Sequence, residues 1–464
     1  MTIDAKGSLG LSRFGMMALV ALGSLSACAP EVPFDSPKFP FASKWRKSQP
    51  GSPVLLANDA WWEKLKDPKL NALMARALTG NLTIAAARER ITLARAERKA
   101  IPRAALYSPS ASIEQRGGSG TTPFEVGEAD FEVNWLLDPW GGRRARLRSA
   151  AARIAGAEAE RDAAQLLVLS NLANAYLELR YRQTLLAQGQ ADLRSRNRTL
   201  ELTQQLQEAD SATKTDTTRA AARAAEIEAT IPILRAAIAA KRNEIAVLAG
   251  VQPGQLDTDL GSGAQPRPGI SPQMGIPADL LRNRPDIKIA EQRYYAALAN
   301  LGSARADRFP QLSLVGTINL ASISGGSTTR QYAFGPSLSL PTHNSGAVEA
   351  RESEVREAHT IWTQTVLSAL LEVENALLDY QAVSQSLSAT GRSARLYREA
   401  REQGQTVFSA GSATLSDLID ADADVARADA AQADARFRQA LAYVALNVQI
   451  GAGHGVGERP ANSN

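Results

Sequence analysis

The sequence predicts a mixed α/β membrane protein that is mainly helical, with four short strands per chain. Three observations predict it. Long proline-poor stretches repeat apolar residues every three or four positions. Four short runs alternate strictly between apolar and polar residues. An apolar N-terminal segment ends in the chain's only cysteine.

That N-terminal segment has the order of an export signal. Lys6 and Arg13 precede the apolar run "FGMMALVALGSL", and "LSAC" follows it. A single Cys forms no intrachain disulfide, and with three His in 464 residues it is a poor basis for a structural zinc site. Small residues before Cys28 resemble a lipobox. Residues 1–27 are then a lipoprotein signal peptide, and the Cys28 thiol carries diacylglycerol with an N-acyl chain such as palmitate on its amine. The alternative is an ordinary secretory signal cleaved after Ala27. Ala29 follows the Cys where Asp would favour retention at the inner membrane. Residues 28–60, rich in Pro from Pro30 to Pro53, read as an extended tether.

Aromatic residues make up only 5% of the chain, which favours closely approaching helices over a bulky core. Net charge is +4, and no Lys/Arg block stands beside aromatics, so nucleic-acid binding is not indicated. The first long helix spans 142–209, with Leu166, Leu169, Leu172, Tyr176 and Leu179 on one stripe. Its partner spans 213–250, with Ile227, Ile231, Leu234, Ile238, Ile245 and Leu248 in near-heptad spacing and Pro232 as a bend. The pattern returns at 347–409 (Trp362, Val366, Leu370, Val373, Leu377, Tyr380) and at 413–450 (Phe437, Leu441, Val444, Val448). Shorter helices near Leu70–Lys99 and Ala278–Arg305 precede each half. Residues 451–464 form a C-terminal tail.

The strands are expected near 107–115, 131–138, 311–320 and 332–340. Tyr107, Pro109, Ala111 and Ile113 alternate with Ser108, Ser110, Ser112 and Glu114; Phe131, Val133, Trp135 and Leu137 share one face of the second run. Leu312, Leu314, Ile318 and Leu320, then Tyr332, Phe334, Pro336, Leu338 and Leu340, repeat the pattern. A soluble four-stranded sheet covered by helices is one solution. The prominence of Ser, Asn and Gln on the second face instead suits a wet lumen and membrane strands. Four strands cannot close a barrel, and open sheet edges are not tolerated in lipid, so several chains must share one barrel. Three chains give twelve strands.

Both halves have the order helix, strand, strand, long helix, helix. Units 61–260 and 261–450 therefore read as an internal two-fold repeat. "SATKTDTTRAA" from Ser211 aligns with "SATLSDLIDAD" from Ser412, which sets Asp216 opposite Asp417 and Arg219 opposite Asp420. Catalytic chemistry is not indicated. His343, His359 and His454 lie far apart in sequence, without metal-ligand spacing. The run Asp417, Asp420, Asp422, Asp424 reads either as a solvated helix start, where carboxylates suit the dipole, or as a pore lining.

Taken in order, "WWEKLKDPKLNALMARAL", "ADLLRNRPDIKIAEQRYYAALANLGSARADRFPQLSL", "FGPSLSLP" and "GSATLSDLIDADADVARA" resemble the TolC-like outer-membrane factor family, in its lipoprotein OprM- and NodT-type branch. The resemblance covers nearly the whole chain after the signal. It implies a homotrimer with a twelve-stranded outer-membrane β-barrel continuing into a long periplasmic α-helical barrel. It also implies a periplasmic membrane-fusion adaptor and an inner-membrane pump of the RND type as partners. The function implied is passive conduction of small molecules outward, with no enzyme activity and no cofactor beyond the lipid. The tunnel of a type I protein secretion system and a non-conducting coiled-coil lipoprotein are the alternatives. Asp420 matches the family's tip aspartate, which rings the pore. Ser416, Asp417, Asp216 and Arg219 complete the expected periplasmic gate.

Three positions depart from the family pattern. Ser416 stands where a bulky apolar residue is frequent, and Asp210 stands where the first turn normally has Gly. "PTHNSG" replaces the usual Pro-aromatic-Asp/Asn-Gly-Gly.

Overall fold

The computed structural model describes residues 37–42, 44–45, 56, 58–117, 124–268, 277–323, 326–341, 345–410 and 412–456. The signal segment 1–27, Cys28, most of the tether 28–60, His343 and the end of the 451–464 tail lie outside the described residues.

Twelve principal elements follow in two rounds of one order. The first round is α1 (Pro68–Gly80), α2 (Leu82–Ala100), β1 (Ala105–Arg116), β2 (Phe124–Leu137), α3 (Gly142–Glu208) and α4 (Lys214–Leu248). The second is α5 (Leu280–Asn283), α6 (Pro285–Ala306), β3 (Gln311–Ile323), β4 (Thr328–Ser339), α7 (Ser345–Ser409) and α8 (Leu415–Gln449). α3, α7 and α8 form where the stripe is unbroken and Pro is absent. α4 runs through Pro232, which removes one donor without ending the helix. None of the described helices is long and apolar enough to cross a membrane.

Two compact units divide the chain. One comprises residues 90–157 and 289–363 with the segment up to Phe39, and holds the sheet; the other comprises 40–89, 158–288 and 364–464.

In the first unit the four strands form one antiparallel sheet in the order β1-β2-β3-β4. Register brings the apolar sets of all four strands onto one face. Tyr107 faces Val133, Val133 faces Gly316 and Gly316 faces Phe334; the next row is Pro109, Phe131, Ile318 and Tyr332. No described residue covers this face: Tyr332 is 89% exposed and Phe334 81%. The opposite face sets Ser110, Asp130, Asn319 and Gln331 in one row, and Asn319 Nδ2 donates to Asp130 Oδ1 at 2.5 Å.

β2 starts at Phe124, seven residues before the alternation suggests. Its first half places Phe124 and Val126 on the polar-side parity, so apolar alternation breaks there while the hydrogen-bonded ladder continues. Asp138 leaves the strand altogether. Its carboxylate accepts the Arg143 and Arg144 amides at 3.2 and 3.0 Å and so caps α3. Beside it, Trp140 stacks on Phe309 with centroids 4.7 Å apart and donates to the Pro310 carbonyl at 2.8 Å.

The second unit contains the longer buried stripes. Leu169, Leu172, Tyr176 and Leu179 of α3 are wholly buried, as are Val366 and Val373 of α7. Tyr181 of α3 stacks on Phe437 of α8 with centroids 4.7 Å apart. The "WWEKL" segment is a 3₁₀ turn with both tryptophans buried, and the Tyr443 hydroxyl donates to the Trp61 carbonyl at 3.1 Å.

Each short leading helix is broken where the sequence suggests continuity. Asn81 adopts an extended conformation between α1 and α2. Its Oδ1 accepts the Thr83 and Ile84 amides at 2.8 and 3.3 Å, while Nδ2 donates to the Leu248 carbonyl at 2.9 Å. The capping side chain competes with the helix and wins. Arg284, extended before Pro285, separates α5 from α6 because the ring disfavours a helical residue ahead of it.

His454 is buried in this unit, with its Nδ1 against the Gly451 carbonyl at 3.0 Å. Burial pushes its pKa below the ordinary value, against the opposing pull of Asp162. The unfolded chain therefore binds this proton first. The neutral ring contributes stability above a pH of about 6.5, and the contribution is lost as pH falls through the lower folded value. Thermal melts at pH 7.5 and 5 should show a smaller acid-induced drop for His454→Gln than for the wild type. An equal drop would remove His454 as a source of acid sensitivity.

Candidate functional site

The site expected from sequence lies at two helix turns of the second unit, α3 to α4 and α7 to α8. The two turns are built alike. Thr213 caps α4: its hydroxyl accepts the Asp216 amide at 3.2 Å and donates to Asp216 Oδ2 at 2.6 Å, which also accepts the Thr213 amide at 3.0 Å. Thr414 and Asp417, 201 positions on, repeat this reciprocal cap on α8 with distances of 3.2, 2.6 and 2.9 Å. The Thr hydroxyl and amide hold both aspartates below the usual carboxylate range. Asp216 and Asp417 thus have their carboxylates engaged at helix starts, where negative charge also suits the dipole.

Ahead of Thr213, Asp210 takes a left-handed conformation with φ +56°. The Ser211 amide then reaches back to the Leu206 carbonyl at 2.8 Å. This backbone explains why glycine suits the position, and Gly411 stands 201 residues later in the sequence. Asp is among the residues that tolerate the conformation.

Asp420 is the exposed carboxylate that links the two turns. Its Oδ1 lies 3.5 Å from the Arg223 guanidinium, and its side chain is 65% exposed. An ion pair this open contributes about 0.5 kcal/mol. Arg219, which the repeat alignment sets opposite Asp420 and which is expected among the tip contacts, lies one helical turn closer to the Thr213 cap. Side chains on a helix lean toward its N-terminus, so Arg223, a turn further along α4, reaches back to Asp420. Arg219 contributes a favourable charge to Asp216.

The remaining aspartates of the run have other partners. Asp422 accepts from Arg401 Nε of α7 at 2.6 Å and from the Ser195 hydroxyl of α3 at 3.2 Å. Asp424 pairs with Arg427 at 2.7 Å on the same helix. Ser416 lines a cleft of about 240 Å³ with Thr414 and Ile419, facing Leu206, Arg219 and Ala220. Arg223 and Ile419 are the two contacts that sequence reasoning missed. Residue-by-residue matching could not reveal them, because they arise from how two helices sit side by side. The arrangement holds two helix pairs together by weak polar contacts and offers no nucleophile–base pair for catalysis among the described residues.

Comparison with known proteins agrees with the architecture. The sequence model for "outer membrane efflux protein" matches residues 73–251 and again 276–452. Nodulation protein T of Rhizobium leguminosarum bv. trifolii is 31% identical, over 93% of this chain and 95% of that protein. The pyoverdine export outer membrane protein OpmQ of Pseudomonas putida is 27% identical, over 93% of this chain and 95% of its own. Among solved structures, the outer-membrane channel OprN superposes with a TM-score of 0.80 at 30% identity, covering 91% of this chain and all of that one. The open state of the Neisseria gonorrhoeae MtrE channel superposes at 0.82 with 24% identity, covering 92% and 98%, and shows the shared fold. The chain belongs to the outer membrane efflux protein family.

Proposed function

We propose that this chain is the outer-membrane channel of a tripartite efflux system, working as a homotrimer with a periplasmic membrane-fusion adaptor and an inner-membrane pump of the RND type. The observation that carries the reading is the sheet. One face is a continuous apolar band, the other holds Ser110, Asp130, Glu132, Asn319 and Gln331, and β1 and β4 are edges without a strand partner among the described residues. Such a sheet is stable in lipid only when closed. Three copies supply twelve strands and a lumen wide enough to conduct. Transport is passive, and the exported compounds are small molecules selected by the pump.

The helix turns form the periplasmic gate. Three Asp420 carboxylates converge on the axis, bind cations and favour cationic or neutral solutes. Opening breaks the Arg223–Asp420 pair, whose small worth suits a contact that must open. Ser416, Asp417, Asp216 and Arg219 line the turns around it. Lipid on Cys28 aids outer-membrane sorting and assembly, and the strands hold the trimer in the membrane.

Purified full-length protein should run as a trimer and conduct in planar bilayers. A monomeric, non-conducting protein would favour the structural lipoprotein instead. Asp420→Ala should raise conductance about twofold or more and weaken multivalent-cation block. Conductance and block both equal to wild type would remove Asp420 from the gate.

A further inference from the structure

A second feature of the 40–89, 158–288 and 364–464 unit has no part in the gate. A groove of about 530 Å³ is lined by α7, α8, Gln188 of α3 and the segment that follows α4. Five arginines line it: Arg267, Arg392, Arg395, Arg398 and Arg436, with Asp429 as its one acidic residue. Asp429 is taken by Arg398. Elsewhere on the same two helices, arginines have carboxylate partners: Arg401 has Asp422, Arg427 has Asp424 and Arg438 has Asp434. Within the groove, Arg267, Arg392, Arg395 and Arg436 have none among the described residues.

The cations are close enough to oppose one another. Burial, then the charges of Arg267 and Arg398, push Arg436 below the usual guanidinium range, against the smaller opposing pull of Asp429. Gly391 lets the floor approach, since a Cβ there would lie 3.1 Å from the Gln432 amide nitrogen. Arg392, Arg395 and Arg398 follow each other at three-residue spacing along α7, about 4.5 Å apart in rise. The duplicated helix pair keeps the turn caps but only part of this array. At the positions 201 residues earlier, Ala191 and Asn197 replace Arg392 and Arg398, while Arg194 and Arg235 match Arg395 and Arg436.

We infer that this groove is a binding site for a small multivalent oxyanion, of the oligophosphate or polycarboxylate class. Guanidinium forks match such oxygens bidentately, and a ligand with several charged groups spaced a few ångströms apart would satisfy several forks together. The volume lies within the range of small-molecule sites. Binding would relieve repulsion that the empty groove contains.

Tripolyphosphate and citrate are suitable probes, titrated calorimetrically into the detergent-solubilised full-length protein at constant ionic strength. Saturable binding is expected at one site per chain, with a rise in melting temperature. Arg392→Gln combined with Arg395→Gln should weaken it about tenfold, and should raise the melting temperature of the unliganded protein by removing like charges. Arg436→Gln should weaken binding comparably. Arg427→Gln, on α8 and paired outside the groove, should leave it unchanged. The inference is overturned if neither probe saturates, if Arg427→Gln weakens binding as much as the groove variants, or if the double variant binds like wild type. Saturation by a polyglutamate peptide but by neither small anion would also overturn it, making the groove an acidic-protein docking surface.

Discussion

Arg284→Ala should destabilise the unit formed by residues 40–89, 158–288 and 364–464 by about 2–3 kcal/mol, a fall in melting temperature on the order of 5–10 °C. Arg284 is buried between α5 and α6, yet every branch of its guanidinium has a partner. Nε and Nη2 grip Asp286 at 3.0 and 2.6 Å, and Nη2 also reaches Glu372 of α7 at 2.7 Å. Nη1 donates to the Gln449 carbonyl at 2.9 Å, one of the orphan acceptors at the end of α8. Truncation leaves two carboxylates and a helix-end carbonyl without their common donor. Breaking a fully buried pair costs about 3–5 kcal/mol, and the partial exposure of Asp286 and Glu372 lowers that figure because water can reach them. Arg284→Lys should recover little, since an ammonium cannot make the planar fork. A melting temperature within about 2 °C of wild type for Arg284→Ala would sink this account.

The same residue illustrates how far the sequence was legible. "RNRPDIKIAEQ" stands out as a family signature, but neither the Arg nor the break at Pro285 can be given a purpose until α7 and α8 are placed around it. Pro285 does carry a local signal for the break, and the apolar stripe of "LLRNRPDIKIA" conceals it. The break at Asn81 carries less, because Asn inside an apolar stripe looks like a weak helix former, not a cap. Long elements were the most readable. α3 ends at Glu208 and α7 at Ser409, next to the expected 209 and 409, because a helix of that length has a periodic stripe and a turn sequence to stop it. Strand faces were readable from parity, and the start of β2 was not, because parity fails where the two faces of the sheet cease to differ in polarity.

At the turns, Asp420 could be singled out but its partner could not. Alignment of the halves pairs residues by position, whereas side chains pair by lean and reach, which selects Arg223 over Arg219. The threonine caps were present in the sequence as Thr-x-x-Asp in both turns. That spacing is a local rule, and it accounts for Asp216 and Asp417 without any reference to a pore.

Gly250→Ala and Gly451→Ala should be the most damaging Gly-to-Ala changes among the described residues, and by similar amounts. Both glycines follow the last residues of α4 and α8 and sit in the left-handed region, at φ +78° and +77°. In each case the next amide closes the helix end, Val251 onto the Ala246 carbonyl and Ala452 onto the Asn447 carbonyl, both at 2.9 Å. Conformation alone would cost an alanine about 1–2 kcal/mol. Contact adds more. A Cβ on Gly250 would lie 2.1 Å from the Gly80 carbonyl oxygen, and one on Gly451 would lie 2.3 Å from the Asn283 carbonyl oxygen. These are backbone atoms at the breaks between α1 and α2 and between α5 and α6, so no side-chain rotation can relieve them. The total should exceed about 3 kcal/mol at either site and lower the yield of assembled protein. Gly189→Ala is the control: it lies within α3 with nothing within 4 Å, and should stabilise by about 0.5–1 kcal/mol. Denaturant melts of the three variants test the argument. If Gly250→Ala and Gly189→Ala shifted stability in the same direction, close backbone approach would not be what these glycines provide. The two sites are parallel in position: the end of α4 closes against the break between α1 and α2, and the end of α8 against the break between α5 and α6.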